Sequence, residues 1–101
     1  MATVRFHRLA AREYERARDW YRVQSGPAVE RFAAEVDRVV GKIASDPRQG
    51  NPYSGDVRWL RLRRYPYVFY FQELSPTVVV ILAVAHARRR PGYWHRRVNR
   101  P

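Results

Sequence analysis

Midway along this chain the apolar residues change from a helical spacing to strict alternation, and that change confines the fold to a few architectures. From about Ala10 to Gln24, the residues Tyr14, Ala17 and Tyr21 recur along one helical stripe. Ser25-Gly26-Pro27 ends this segment and opens another, because Ser25 or Gly26 can cap a helix and proline suits its first turn. The second helix runs to about Ser45 with Val29, Phe32, Val36, Val39, Val40 and Ile43 on its apolar face, and Asp46-Pro47 stops it. So short a turn between two amphipathic helices predicts an antiparallel helical hairpin. Beyond a polar loop from Arg48 to Asp56, Val57 to Arg63 alternates, with Leu60 and Leu62 on one face and Trp59, Arg61 and Arg63 on the other. Tyr67 to Leu74 and Thr77 to His86 follow across the turns Tyr65-Pro66 and Ser75-Pro76, which predicts an antiparallel meander. Val4-Arg5-Phe6-His7 alternates as a short leading strand. The expected class is α+β: a short N-terminal strand, then an antiparallel helical hairpin packed on a small antiparallel sheet. All 101 residues are expected to form one domain, with a basic-aromatic tail from Arg88 to Pro101.

Charge is distributed as unevenly as periodicity. Met1 to Val57 carries ten basic residues against eight acids, a net +2, whereas Arg58 to Pro101 carries ten arginines against the single acid Glu73, a net +9. The first part is a balanced surface and the second a concentrated cation, which points to an anionic partner, either nucleic acid or an acidic protein. Lys42 is the only lysine. Arginine's planar fork suits bidentate contact with phosphate and carboxylate, and a GC-rich coding bias produces the same excess. Cysteine is absent, which excludes disulfides, thiolate metal sites and thiol nucleophiles. The N-terminus lacks the layout of a signal peptide, and the longest apolar run, Val78 to Ala85, is too short to span a bilayer. A cytoplasmic protein with no membrane association is expected.

Two constellations could carry chemistry. The first is Arg58, Arg61, Arg63 and Arg64, in and just after the first meander strand. Alternation places Arg61 and Arg63 on one face, about 7 Å apart, a spacing compatible with successive backbone phosphates. The plainer reading is a solvated sheet face. The second runs from His86 through Arg88, Arg89 and Arg90 to Tyr93 and Trp94, where the apolar third meander strand leaves the core. Interleaved arginines and aromatic rings can grip phosphates and stack on bases, and histidine can exchange protons near neutral pH. Alternatively, Tyr93 and Trp94 fold back over the edge of the core. There is no glycine-rich phosphate loop and no cluster at metal-ligand spacing, so neither a metal nor a cofactor is expected. The helix acids Glu13, Glu15, Glu30, Glu35 and Asp37 sit among arginines and read as ordinary surface pairs.

Taken in order, four stretches resemble the RelE/ParE superfamily of toxins from type II toxin–antitoxin systems. They are Val4-Arg5-Phe6-His7 with Asp19-Trp20-Tyr21; Arg31-Phe32 with Ile43-Ala44-Ser45-Asp46-Pro47-Arg48-Gln49-Gly50; the run from Arg58 to Tyr70; and Ala83 to Arg89 followed by Pro91 and Tyr93-Trp94. The resemblance implies the compact toxin fold and a cognate antitoxin that masks the basic surface in a hetero-oligomer. It also implies one of two targets: RelE-like members cut messenger RNA on the ribosome, whereas ParE-like members inhibit DNA gyrase.

Metal-free RNA cleavage needs a base, an acid and cations around the phosphorane-like transition state. Arginine supplies only the cation. By resemblance to the nucleases, Arg61 and Arg63 match basic positions of the first meander strand and Tyr93 matches a tail tyrosine, with His86 as a second proton-transfer candidate. Tyr67, however, stands where those nucleases carry an arginine, and Ala87 falls near another expected arginine. The expectation is therefore a ParE-like gyrase inhibitor, with a metal-independent, ribosome-dependent endoribonuclease as the alternative. In the first case Arg58, Arg61, Arg63, Arg64, Arg88, Arg89 and Arg90 form the contact surface; in the second Tyr93 and His86 are catalytic. A plain nucleic-acid-binding module fits the charge, but nothing resembles a recognition helix or zinc module.

Overall fold

A computed structural model describes residues 1–100. In chain order the elements are β1 (Thr3–Phe6), α1 (Arg8–Gln24), α2 (Gly26–Ser45), a 3-10 turn (Pro47–Gln49), β2 (Asn51–Ser54), β3 (Val57–Arg61), β4 (Tyr67–Ser75), β5 (Val78–His86) and a second 3-10 turn (His95–Arg97). The strands form one sheet in the order β1-β5-β4-β3-β2, with β1 parallel to β5 and every other pair antiparallel.

The helical hairpin turns at Ser25, which serves both helices. Its N–H donates to the Tyr21 carbonyl at the end of α1, and its hydroxyl accepts the Ala28 N–H, 3.0 Å away, at the start of α2. α1 begins two residues earlier than its apolar spacing suggests, at Arg8, because the His7 imidazole caps it: Nδ1 accepts the Leu9 N–H at 3.1 Å. Ala10 and Ala17 of α1, with Phe32, Val36, Val39 and Ile43 of α2, pack on Leu60, Leu62, Phe69, Phe71, Val79, Ile81 and Val84 of the sheet.

The opposite face of the sheet is also covered. The chain after β5 returns across it and buries Trp94 to 1% exposure against Val57, Val80, Leu82, Ala83 and Ala85. The Trp94 ring centroid lies 4.4 Å from that of Tyr70. This second core explains why β5 reads as a continuous apolar run: Val79 to Ala85 is buried throughout, as a central strand covered on both faces must be.

Two expectations need correction. The segment from Arg48 to Asp56 is not all loop, because Asn51–Ser54 is a fully exposed edge strand paired with β3. It carries Pro52 and no apolar alternation, which a strand can tolerate only at a sheet edge. The first meander strand also stops at Arg61 rather than Arg63. Leu62 keeps one bond, its N–H donating to the Tyr67 carbonyl at 3.0 Å, and Arg64 then takes a left-handed φ of 65°.

Candidate functional site

The turn after Leu62 separates the two arginines that strand alternation would put side by side. Arg61 faces a cleft of about 250 Å³ between the sheet and the returning tail, shared with His86, Arg89, Arg90 and Tyr93. Arg63 leaves the sheet: its backbone N–H donates to Glu35 Oε2 of α2 at 2.6 Å, and its side chain joins Arg64, Arg31, Arg38 and Tyr65 around a groove on the helical side. The expected pair of adjacent guanidiniums on one face is thus not formed. Arg58 is partly buried and donates from Nη1 to the Gly50 carbonyl at 3.0 Å, which ties β3 to the turn before β2. Gly50 itself must lack a side chain, because a Cβ there would run into the Phe71 ring.

Tyr93 is fixed by a cluster at the seam between α1, β5 and the tail. Its hydroxyl donates to Glu13 Oε2 at 2.8 Å. The same carboxylate receives both Arg97 terminal nitrogens at 3.0 Å, and its Oε1 accepts the Val84 N–H at 3.0 Å. Arg97 Nη1 also donates to the Leu82 carbonyl at 2.9 Å. The need for this cluster follows from the sheet. β1 ends at Phe6, and after the His7 N–H reaches the Ile81 carbonyl no strand covers that edge of β5. Glu13 and Arg97 supply the missing acceptor and donor. Their side chains are only 9% and 11% exposed, so Glu13 is not the surface pair its neighbours suggest. Burial, the hydrogen bond to Glu13 and the charge of that carboxylate push the Tyr93 hydroxyl well above the usual phenol range; Arg97 and Arg89 oppose this only in part. The Arg89 guanidinium lies over the Tyr93 ring, 4.1 Å from its centroid.

His86 is half-buried at the end of β5. Its Nδ1 accepts the Arg88 N–H at 3.0 Å, and its ring meets Tyr67 edge-on at 5.2 Å between centroids. Arg88, Arg89 and Arg90 are all exposed in the turn that follows. Of the ten residues singled out in the sequence, Arg61, His86, Arg89, Arg90 and Tyr93 therefore line one cleft. Arg63 and Arg64 line a groove against α2, Arg58 is bound to a loop, and Arg88 is exposed in the turn after β5 without lining the cleft. Trp94 lies in the second core. Glu13 and Arg97 were missed as members of the cluster, although Glu13 carried a signal: it falls between Ala10 and Ala17 at helical spacing, an acid inside an apolar stripe. Among the described residues no three His, Asp or Glu side chains gather as metal ligands, and no helix is long and apolar enough to cross a membrane.

The fold is shared with a solved structure described as the chromosomal ParDE TA system from P. aeruginosa: 23% identity, TM-score 0.68, covering 85% of this chain and 96% of that one. No curated protein sequence matches the chain. The model of the family described as ParE toxin of type II toxin–antitoxin system, parDE, matches residues 4–91, and the chain belongs to that family. It is a type II toxin with the α+β fold expected from its sequence.

Proposed function

We propose that this toxin inhibits DNA gyrase in the cytoplasm by contact rather than by catalysis, and that a cognate antitoxin holds it inactive in a hetero-oligomer. One observation carries the choice of contact over catalysis. The Tyr93 hydroxyl, the best-matched proton-transfer group in the chain, is spent on Glu13 inside a buried cluster and is held in its protonated form. A group so placed anchors the tail and is a poor acid or base for RNA cleavage, which needs proton transfer within hydrogen-bond reach of the scissile phosphate. The family's name, which refers to the parDE system, supports the same side. Arg61, Arg89 and Arg90, presented around one cleft, are the proposed contact surface, together with Arg88, exposed in the same turn as Arg89. Arg63 and Arg64 are a separate basic patch beside α2, suited to an acidic segment of the antitoxin.

The test is a gyrase supercoiling assay with purified toxin. Tyr93→Phe, assayed where it is folded, keeps most of the inhibition, whereas Arg88→Ala with Arg89→Ala, or Arg61→Ala, weakens it. Codon-positioned cleavage of messenger RNA in a translation extract, abolished by Tyr93→Phe, would instead establish the ribosome-dependent endoribonuclease.

A further inference from the structure

The start of α1 and the end of the tail enclose a second cationic cleft, away from the one just described. It is a surface cleft of about 320 Å³ lined by His7, Arg8, Leu9, Arg96, Arg97 and Arg100. Among the described residues no carboxylate lines it. The charge of Arg97 is already matched by Glu13, but among the described residues the guanidiniums of Arg8, Arg96 and Arg100 take part in no ion pair, and all three residues are exposed. The cleft also lies at the positive end of a 17-residue helix whose first turn holds no acid. His7, which also lines the cleft, adds a donor. Its Nδ1 accepts the Leu9 N–H, so the proton of the neutral ring is on Nε2. Three unmatched guanidiniums, an imidazole N–H and a helix N-terminus repel one another unless an anion sits between them.

We infer that this cleft binds successive backbone phosphates of nucleic acid, one at each of Arg8, Arg96 and Arg100, without regard to sequence. Arginine forks match phosphate oxygens in pairs, and a helix N-terminus supplies a further positive end. The surroundings decide among anions. No Phe, Tyr or Trp lines the cleft, so there is no platform on which a nucleotide base could stack. Among the described residues Leu9 is the only apolar side chain lining it, whereas a protein partner requires an apolar centre to its interface. What remains is recognition of phosphate alone, the mode by which proteins hold nucleic acid in register without reading it. This inference does not depend on the gyrase reading, since it concerns other residues and a different measurement.

The experiment is fluorescence anisotropy of a short labelled DNA duplex of random sequence, titrated with intact toxin over a series of salt concentrations. Log affinity falls linearly with log salt, and each phosphate contact contributes about 0.9 to the slope. Arg96→Gln with Arg100→Gln lowers the slope by about 1.8, and Arg8→Gln alone by about 0.9. The comparison variant, Lys42→Gln with Arg48→Gln, removes the same charge from exposed positions elsewhere and leaves the slope unchanged. These exposed substitutions leave the far-ultraviolet circular dichroism and melting temperature intact. Equal slope changes in the two double variants would reduce the effect to net charge and overturn the inference. So would absence of duplex binding, or binding of inorganic phosphate or polyglutamate, but not the duplex, that is lost in the Arg96/Arg100 variant.

Discussion

Replacing Glu13 by alanine removes the one carboxylate that joins α1, β5 and the tail. Four hydrogen bonds converge on it: two from Arg97, one from the Tyr93 hydroxyl and one from the Val84 N–H. The pair is about nine-tenths buried, so breaking it leaves Arg97 as an uncompensated internal charge, at a cost of about 3–5 kcal/mol. Because an unmet Val84 N–H and Tyr93 hydroxyl belong to the same network, their costs fall within that range rather than adding to it. A chain of this size has about 5–15 kcal/mol of stability in all, so Glu13→Ala leaves the protein marginal. Urea unfolding followed by tryptophan fluorescence is the assay, since the Trp94 ring is buried under the same tail. With a slope of about 1.5 kcal/mol per M, the midpoint moves down by about 2–3 M. Tyr93→Phe removes only one bond to a charged acceptor and costs about 1.5–3 kcal/mol. Combining Glu13→Leu with Arg97→Met, which removes both charges, recovers much of the loss seen with Glu13→Leu alone. A Glu13→Ala midpoint within about 0.5 M of wild type, or additive losses in the Glu13/Arg97 pair, would refute the idea that this cluster seals the open edge of β5.

The remaining predictions concern His7 and Trp94. Burial first, then the charges of Arg97 and Arg8, hold the His7 imidazole below its ordinary range, so its folded pKa is depressed relative to the unfolded chain. Its contribution to stability is therefore complete above the unfolded value of about 6.5 and is lost as pH falls through the lower folded value. Melting temperatures measured from pH 7.5 downward should show this loss in wild type. They should show less of it in His7→Asn, whose side-chain oxygen can still cap Leu9 but does not titrate. Trp94→Ala opens the second core and costs about 3–5 kcal/mol by urea unfolding, with faster tryptic cleavage after Arg88, Arg89 and Arg96 as the tail lifts. A tail that stays protected from trypsin in that variant would mean that Trp94 is not its main anchor.

Much of this architecture was legible because hydrophobic period is a local signal. The helical hairpin, the three meander strands and the α+β class follow from Phe32, Val36, Val39 and Ile43 on one hand and from the alternation after Val57 on the other. The edge strand Asn51–Ser54 was not legible, since all four residues are exposed and nothing in them alternates. Nor was the point at which β3 ends. Leu60 and Leu62 continue the pattern, but the chain leaves the sheet after Leu62, so Arg63 is carried to α2 while Arg61 stays with the tail. Alternation identifies the face of a residue only while the strand lasts. The Glu13–Tyr93–Arg97 cluster joins residues more than 70 positions apart, and only the ending of β1 opposite Ile81 creates the need for it. For Trp94 the sequence allowed both an exposed stacking residue and a core cover, and the second core resolves that in favour of the cover.

The tail therefore has two sides with different duties, and this governs how its removal can be interpreted. Inward it contributes Tyr93, Trp94, Arg97 and Val98; outward it presents Arg88, Arg89, Arg90, Arg96 and Arg100. Cutting the chain after Ala87 strips away both sets together. The face of β5 formed by Val80, Leu82, Ala83 and Ala85 would then meet water, and Glu13 would lose its cation. An exposed apolar face of that kind favours aggregation. Loss of toxicity on truncation would thus report an unfolded or aggregated protein as readily as a missing contact. Only substitutions of the outward arginines, with the inward residues left in place, separate what the tail holds together from what it touches. The same division explains why a segment so rich in arginine is ordered at all: most of its side chains face solvent, while Tyr93, Trp94, Arg97 and Val98 complete a core that the sheet cannot close by itself.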